Sequence, residues 1–445
     1  MVGAWLGIVL VLVTLLGLQL GVRLWRRRNP RRAELSRKVM HVSLGLLTLT
    51  FPWLFDQAWP VFVVCGAIAV WMVAVRRLAL VKSHFGGAID VERISWGEVY
   101  FPVGVAALFV LSGGDPILYC VPVAILTLAD TAAALVGSEY GHWRFTTLEG
   151  GRKSAEGSVA FFLVAYFAVH VPLLLATSIE RTDVLLVATI LALLVTVFEA
   201  IAWRGLDNLF IPLGGFLLLR ELPGLGTERL LLHLGVVVLI AVVAALRRRQ
   251  TTLDDSALLA AMLTGYGIWT FGGWEWLVLP VILFLQGRVQ PSLADPDSPY
   301  FHHVDLVLSV AAPMFFWLLL ARLLDRPELF FPFAVALAVH LGVFEIARQR
   351  GPQAGHSLAH VALSCGGRAW AMIFVLFVIL QRFSAVALVR AAWALPLVIL
   401  GVAGLCWSQH SAGKLPMDAR RWIFQAAWAL IASLAAAVPL LAFGG

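Results

Sequence analysis

Long apolar stretches separated by short polar connections dominate the chain. A helix that crosses the hydrocarbon core of a bilayer needs about 20 largely apolar residues, and many stretches approach this length. The pattern predicts an all-α, polytopic transmembrane bundle with about sixteen spanning or re-entrant helices. The predicted segments are residues 3–24, 39–55, 58–75, 99–113, 116–137, 157–178, 183–203, 208–220, 229–246, 254–271, 274–287, 304–324, 329–347, 361–381, 386–406 and 422–443.

Composition agrees with this pattern. Of the 445 residues, 61% are hydrophobic and only 13% are charged, whereas soluble domains have about 45–50% apolar and about 25% charged residues. A soluble protein of this size is therefore excluded. The net charge of +7 lies in short arginine runs between apolar segments, which indicates membrane orientation and no nucleic-acid partner.

The distribution of basic residues predicts the orientation of the chain. If the N-terminus lies outside, the alternate loops that fall inside carry most of the arginines and lysines, including the runs at 26–28 and 247–249. The positive-inside rule then places these loops in the cytoplasm of a multi-pass protein, and we expect a bacterial plasma membrane. The run at 247–249 predicts a boundary between a catalytic membrane domain, 1–250, and a second membrane bundle, 251–445.

Two polar groups near the predicted inner face stand out first. Arg37, Lys38 and His41 lie at the inner end of the second segment, where cations could bind phosphates; the alternative is anchoring at the membrane edge by snorkelling side chains. Asp130 lies inside the segment 116–137, where a carboxylate costs a few kcal/mol and usually lines a polar cavity. The alternative for Asp130 is a carboxylate satisfied by a neighbouring threonine or arginine.

A third group follows a pair of glycines, at residues 152–158. Ser154 is predicted to cap the following helix, whose free N–H groups favour a phosphate, with Arg152 and Gly157 beside it. Lys153 supplies a mobile positive charge, and Glu156 is suited to bind Mg²⁺ through oxygen. The alternative is an ordinary capped helix with anchoring charges.

The fourth group contains Glu199, Asp207 and Asn208. Glu199 is a second carboxylate at membrane depth, whereas Asp207 is an N-cap candidate and that role alone would explain it. The predicted topology puts the carboxylates of the second, third and fourth groups at one face of the membrane. Together with the cations they predict Mg²⁺-dependent handling of a nucleoside triphosphate and a lipid. No GxxxxGK[ST] motif is present, which excludes a P-loop enzyme.

Five ordered motifs in the first 220 residues resemble the CTP-dependent polyprenol kinases, the family of dolichol kinase and phytol kinase, which is related to phosphatidate cytidylyltransferase. They are ELSRKVMH at 34–41, SWGEVYFPVG at 95–104, ADTAAALVGSEYG at 129–141, RKSAEGS at 152–158 and DNLFIP at 207–212. The resemblance implies a nucleotide and Mg²⁺ site at Lys153, Ser154, Glu156 and Gly157, and a catalytic polar cluster at Asp130 and Asp207. The lysine–serine pair in the fourth motif favours the kinases over the cytidylyltransferases.

The function implied is CTP-dependent phosphorylation of a long-chain isoprenoid alcohol at the cytoplasmic face, with Mg²⁺ as cofactor and a membrane lipid and a nucleotide as partners. Two alternatives remain open at this point: a CDP-lipid synthase that releases pyrophosphate, and a non-enzymatic transporter of lipids or ions. Residues 252–286 look like the start of the membrane family that includes phytyl-phosphate kinase. The later motifs of that family do not follow, so the role of the second half stays open.

Overall fold

The computed structural model divides the chain into two compact units, Met1–Ala241 and Val242–Gly445. The division falls inside the helix Thr227–Arg247, most of which belongs to the first unit. The division precedes the boundary predicted at residue 250. The arginines at 248 and 249 lie outside the described residues. The structure describes residues 3–28, 33–77, 96–146, 152–201, 205–247, 253, 255–286, 304–349, 358–411 and 419–443.

The first unit consists of apolar helices and one short hairpin. In chain order the helices are α1 (Ala4–Arg28), α2 (Ala33–Leu49), α3 (Phe51–Leu54), α4 (Ala58–Arg77), α5 (Gly97–Leu111), α6 (Pro116–Ala124), a π-helical turn (Ile125–Ala129), α7 (Asp130–Tyr140), α8 (Ala155–Ala176), α9 (Arg181–Ile201), α10 (Asp207–Glu221), a 3₁₀ turn (Leu222–Gly224) and α11 (Thr227–Arg247). Strands β1 (Arg144–Thr146) and β2 (Arg152–Ser154) pair antiparallel between α7 and α8. This hairpin is a small departure from the all-α fold predicted.

The second unit is a bundle around one enclosed helix. Its helices are α12 (Asp255–Gln286), α13 (Val304–Leu323), a 3₁₀ turn (Pro327–Leu329), α14 (Phe330–Gln349), α15 (Leu358–Leu380), α16 (Ala385–Ser411) and α17 (Ala419–Phe443). The segment Pro327–Ile346 is almost wholly buried by the helices around it. Gly342 allows this close approach, because a Cβ there would lie 2.6 Å from the side chain of Val402.

The predicted count of about sixteen spans is not confirmed. In the part of the chain that the structure describes, ten helices are long and apolar enough to cross a membrane. Helices α5 and α10 have 15 residues each, or about 22 Å at 1.5 Å per residue, which is shorter than a hydrocarbon core of about 30 Å. Hydrophobicity identified these segments correctly as helices but did not establish that they span.

Two predicted spans, 254–271 and 274–287, lie in the continuous segment α12, which consists of two helices joined across a kink. The kink is at Gly273, whose φ of 79° lies in the left-handed region. Glycine reaches this region without the steric penalty of a Cβ, so the first helix ends there and a second begins beyond it. The two predicted helices are therefore confirmed as helices, although together they count as one of the ten candidate spans.

Large apolar side chains remain exposed along the outer surfaces of the spans. On α1, Trp5, Leu6 and Val13 are each more than 60% exposed. A soluble protein rarely leaves such continuous apolar surface in water, whereas lipid solvates it. The long apolar helices and this surface are consistent with an integral membrane protein.

Candidate active site

A π-helical turn at Ile125–Ala129 interrupts the helix that carries Asp130. Such turns occur mostly singly within α-helices and often at functional sites. Here Thr127 lies against α2, where a Cβ on Gly45 would come within 2.0 Å of the threonine Oγ1. The Thr131 hydroxyl donates to the Thr127 carbonyl at 2.8 Å, which satisfies a group that the turn displaces. Close packing of α2 against the turn therefore positions Asp130.

Asp130 pairs with the cationic end of α2. The Lys38 ammonium lies 2.7 Å from the Asp130 Oδ2 atom, and it also donates to the Asp130 carbonyl at 3.3 Å. The His41 Nε2 atom lies 3.7 Å from the same carboxylate oxygen and 3.3 Å from the Leu126 carbonyl. Lys38 is only 3% exposed, so this lysine is not snorkelling at the membrane edge. Among the described residues, Lys38 forms the short ion pair with Asp130, a partner that differs from the threonine or arginine considered from the sequence.

A second lysine–carboxylate pair joins the hairpin to α9. The Lys153 ammonium lies 2.7 Å from the Glu199 Oε1 atom and also donates to the Glu199 carbonyl. The Glu199 side chain is 9% exposed, and its Oε2 atom is buried without a hydrogen-bond partner among the described residues. Glu199 thus fixes Lys153 at the C-terminal end of α9, although the two are 46 positions apart.

Asp207 lies close enough to both pairs to respond to their charges. Burial and, next, the charge of the Asp130 carboxylate together raise the pKa of Asp207 to about 6, although the Lys153 ammonium opposes the shift. Asp207 lies outside the ten candidate spans, at the first residue of α10. Both lysines and three of the four carboxylates from the sequence groups therefore belong to one polar cluster, and Glu156 does not. The cluster comprises Lys38, His41, Asp130, Lys153, Glu199 and Asp207.

The N-cap role expected for Asp207 is wrong. The N-cap residue of α10 is Leu206, and no side chain caps this helix end. The Asp207 Oδ1 atom instead accepts from the backbone and side-chain nitrogens of Asn208, at 3.0 and 3.3 Å. Asn208 therefore holds the carboxylate of Asp207 in place, and capping does not explain that carboxylate.

Ser154 caps α8, as predicted: its hydroxyl oxygen accepts from the Gly157 N–H at 3.1 Å. The Ala155 N–H donates to the Trp143 carbonyl at 2.9 Å. Two N–H groups at this helix end are thus already bonded within the protein. A phosphate here would be held chiefly by the Lys153 charge and the helix dipole, rather than by a full set of free N–H groups.

Glycines let α7 and α8 cross at short range. A Cβ on Gly157 would lie 2.8 Å from the Ala133 carbonyl oxygen and 3.3 Å from the Gly137 Cα. A Cβ on Gly137 would lie 3.0 Å from the Ser154 hydroxyl. The small residues of the third and fourth motifs therefore bring the helix bearing Asp130 against the start of the helix that follows Lys153.

The acidic residues fit a magnesium ion that is shared with a substrate. Mg²⁺ binds proteins through one or two carboxylates and completes its shell with water and substrate phosphates. Within the described ranges, no three His, Cys, Asp or Glu side chains are grouped as a complete metal site. The Asp130 and Asp207 carboxylates repel each other, and a divalent cation between them would offset this repulsion.

Glu156 is partly committed to the protein backbone. Its Oε1 atom accepts from the His142 and Trp143 N–H groups at 3.1 and 3.2 Å, while its Oε2 atom is buried without a hydrogen-bond partner in the described structure. One oxygen of Glu156 is therefore left for a metal, and the metal role stays a prediction. The side chains of Arg37 and Arg152 lie outside what the structure describes.

Sequence reasoning missed the features that orient this cluster. Neither the π turn nor the hairpin has a hydrophobic period of its own. The hydrogen bonds from the His142 and Trp143 N–H groups to Glu156 join residues that are 14 and 13 positions apart. His41 also packs edge-on against Phe101, at 5.7 Å between ring centroids. Phe101 lies in the SWGEVYFPVG motif, which was the signal that could have indicated this contact.

Comparison with known proteins found one similar curated sequence at high significance. The chain is 30% identical over 217 residues to a phytol kinase from Synechocystis sp., and the match covers 48% of this chain and 90% of that relative. About half of the residues here therefore have no counterpart in it. No family model matches the chain, and no solved structure matches it.

Proposed function

Since the chain belongs to the polyprenol and phytol kinase family, we propose that its first unit transfers the γ-phosphate of CTP to the hydroxyl group of an isoprenoid alcohol. The observation that supports this proposal best is the convergence of two lysine–carboxylate pairs, Lys38–Asp130 and Lys153–Glu199, on Asp207. Phosphoryl transfer needs cations for the charge on the phosphate oxygens and a group that takes the proton of the attacking hydroxyl. The cluster contains both.

Asp207 is the better base of the two aspartates. A general base works best when its pKa lies near the working pH, and the pKa of Asp207 is raised to about 6. Asp130 is held by the Lys38 ammonium at 2.7 Å, which stabilises its charged form and orients it. We assign proton acceptance from the alcohol to Asp207, and binding of the metal–triphosphate to Asp130.

The two lysines have different roles in this proposal. Lys38 is almost fully buried and bonded to Asp130, so it sets the charge and orientation of that carboxylate. Lys153 is 27% exposed, and its ammonium can turn from Glu199 towards a phosphate oxygen. The Glu199 carboxylate then keeps Lys153 near the site when no nucleotide is bound.

Magnesium would be held by the Asp130 carboxylate, with water and phosphate oxygens completing its shell. The metal role predicted for Glu156 is separate from this site, since no three His, Cys, Asp or Glu side chains are grouped among the described residues. When bound, the ion neutralises charge on the triphosphate and polarises the transferred phosphoryl group. The positive-inside pattern of the loops is the basis for placing this site at the cytoplasmic face. Both the ion and the face are parts of the proposal.

The test is phosphate transfer by the purified full-length protein. It is incubated with Mg²⁺, CTP labelled at the γ-phosphate, and separately phytol, polyprenols, diacylglycerol and phosphatidate. We expect label in a phosphorylated isoprenoid alcohol and release of CDP. A CDP-lipid with pyrophosphate, or labelled lipid only when ATP replaces CTP, would contradict the proposal.

Variants connect this activity to the cluster. Asp130→Asn and Lys153→Ala should each abolish most of the transfer. Arg181→Gln is the matched control, because Arg181 is an exposed cation at the other end of the helix that ends near Glu199, about 27 Å away at 1.5 Å per residue. Loss of activity in the control as well would assign the effect to the fold and not to the site.

A further inference from the structure

Trp143 combines a fixed backbone with an exposed side chain. It lies between α7 and β1, where its N–H donates to the Glu156 carboxylate at 3.2 Å and its carbonyl accepts from the Ala155 N–H at 2.9 Å. The side chain is nevertheless 79% exposed. Leaving a large apolar surface in water is unfavourable, so an indole held in this way is suited to cover a ligand.

The hairpin puts the Trp143 backbone beside the strand that carries the site lysine. Phe145 pairs with Lys153 in the ladder. Trp143, the residue before β1, bonds through its carbonyl to Ala155, the first residue of α8. The indole is therefore attached to backbone that is bonded two positions after Lys153.

We infer that Trp143 is the stacking platform for the base of the donor nucleotide, while Lys153 holds its phosphates. This inference rests on the proposed function and extends it by naming a residue for the nucleoside part. Bases stack on aromatic side chains through their π-faces, and an indole presents the largest such face. An aromatic residue whose backbone is held next to the phosphate-binding lysine is suitably placed for the other end of a nucleotide.

A tryptophan at a helix end near a membrane has a competing role, that of an interfacial anchor. Tyr140, one turn earlier, is 64% exposed and would serve an anchor equally well. The two roles differ in what they affect. A stacking platform acts only on ligands that carry a base, whereas an anchor acts on the lipid substrate and on the stability of the protein in the bilayer.

The experiment measures nucleotide dependence in the full-length protein with saturating isoprenoid alcohol. Trp143→Ala should raise the KM for CTP about tenfold, as expected for loss of one stacked base, with kcat and the KM for the alcohol changed less than about twofold. The inhibition constant of CDP should rise by the same factor. That of tripolyphosphate, which has no base, should not change.

Conservative and control variants make the result specific. Trp143→Phe keeps a π-face and should recover most of the affinity, whereas Trp143→Leu keeps apolar bulk alone and should not. Trp53→Ala removes an equally exposed tryptophan, 69% exposed on α3, and should leave every constant unchanged. Equal changes for CDP and tripolyphosphate, or a change in the KM for the alcohol alone, would overturn the stacking role and indicate an anchor.

Binding of Mg²⁺–CTP by equilibrium dialysis separates this inference from the proposed function. A wild-type protein that binds CTP but transfers no phosphate would contradict the kinase proposal, and a tenfold loss of binding in Trp143→Ala would still support the platform. A wild-type protein that transfers phosphate, with unchanged CTP binding in the variant, would overturn the platform alone.

Discussion

The Lys38 ammonium and the Asp130 carboxylate lie 2.7 Å apart, although 92 positions separate them in the chain. The first residue comes from α2 and the second follows the π turn, so the pair joins two helices at the polar cluster. Lys38 is nearly inaccessible, and removal of one partner would take from the other its nearest opposite charge. The pair is therefore a direct test of the proposed site.

Lys38→Met should lower kcat/KM for CTP about a hundredfold, because Asp130 loses the ammonium that orients it. The double variant Lys38→Met with Asp130→Asn should be no worse than the single variants, since both remove the same unit. Steady-state kinetics of the three proteins measures this coupling. Multiplicative losses in the double variant would show that the two residues act independently.

Glu199→Gln should raise the KM for CTP about tenfold without changing the KM for the alcohol. The carboxylate positions Lys153 at 2.7 Å, and an amide of the same shape cannot pair with an ammonium charge. Glu199→Asp keeps the charge and should restore part of the affinity. A uniform loss of kcat with both KM values unchanged would argue against a role in nucleotide binding.

The rate of phosphate transfer should depend on the protonation of Asp207. Its pKa is raised to about 6, so kcat should rise as the pH increases through about 6 and level off above about 7. The Asp207→Asn variant should retain less than about 1% of the activity and lose this dependence. A wild-type profile that is flat between about pH 5 and 7 would contradict the assignment of Asp207 as base.

The same carboxylate should reduce stability at neutral pH. An aspartate whose pKa is raised in the folded state is neutral in both the folded and the unfolded protein well below about pH 4, where it has no effect on stability. Above about pH 6 it is charged in both states, and the free energy of unfolding is then lowered by the full cost of the buried charge. Asp207→Asn should therefore raise Tm by a few degrees at about pH 7.5 and by much less at about pH 4.5. Thermal unfolding at the two pH values measures this difference; equal shifts would count against a charge effect.

Gly104→Ala should disturb the site through the backbone that carries Asp207. A Cβ at Gly104 would lie 2.8 Å from the Asn208 carbonyl oxygen, and overpacking of this kind costs about 1–3 kcal/mol. We expect a lower Tm and lower activity. Gly66→Ala is the matched control, since a Cβ at Gly66 would contact nothing within 4 Å, and alanine favours a helix. A lower Tm in the control would remove the packing explanation.

Hydrophobic spacing predicted the helices well, because a bilayer requires each span to be apolar and to satisfy its own backbone. Polar residues at the predicted inner ends were also informative: Lys38, Asp130, Lys153 and Asp207 belong to one cluster. Residue type alone was enough to select these positions, since a charged side chain inside a membrane protein is costly unless it forms an ion pair or has a function. The roles of these residues in catalysis stay predictions.

Tertiary contacts explain what the sequence did not show. Gly45 leaves space for the Thr127 side chain of the π turn. The Asp207 carboxylate is held by a hydrogen bond from the Asn208 N–H and does not cap a helix. Each of these features depends on a neighbour that hydrophobic periodicity does not identify.

The π turn at Ile125–Ala129 also has a consequence for how this chain can vary. Such a turn accommodates about one residue more than a regular helix would, so loss of a single residue between positions 125 and 129 would restore the ordinary winding. The helix beyond it would then rotate by about 100°, the angle between successive residues. Asp130 would face away from Lys38, and the chain could keep its hydrophobicity and its motifs while losing the geometry that joins them.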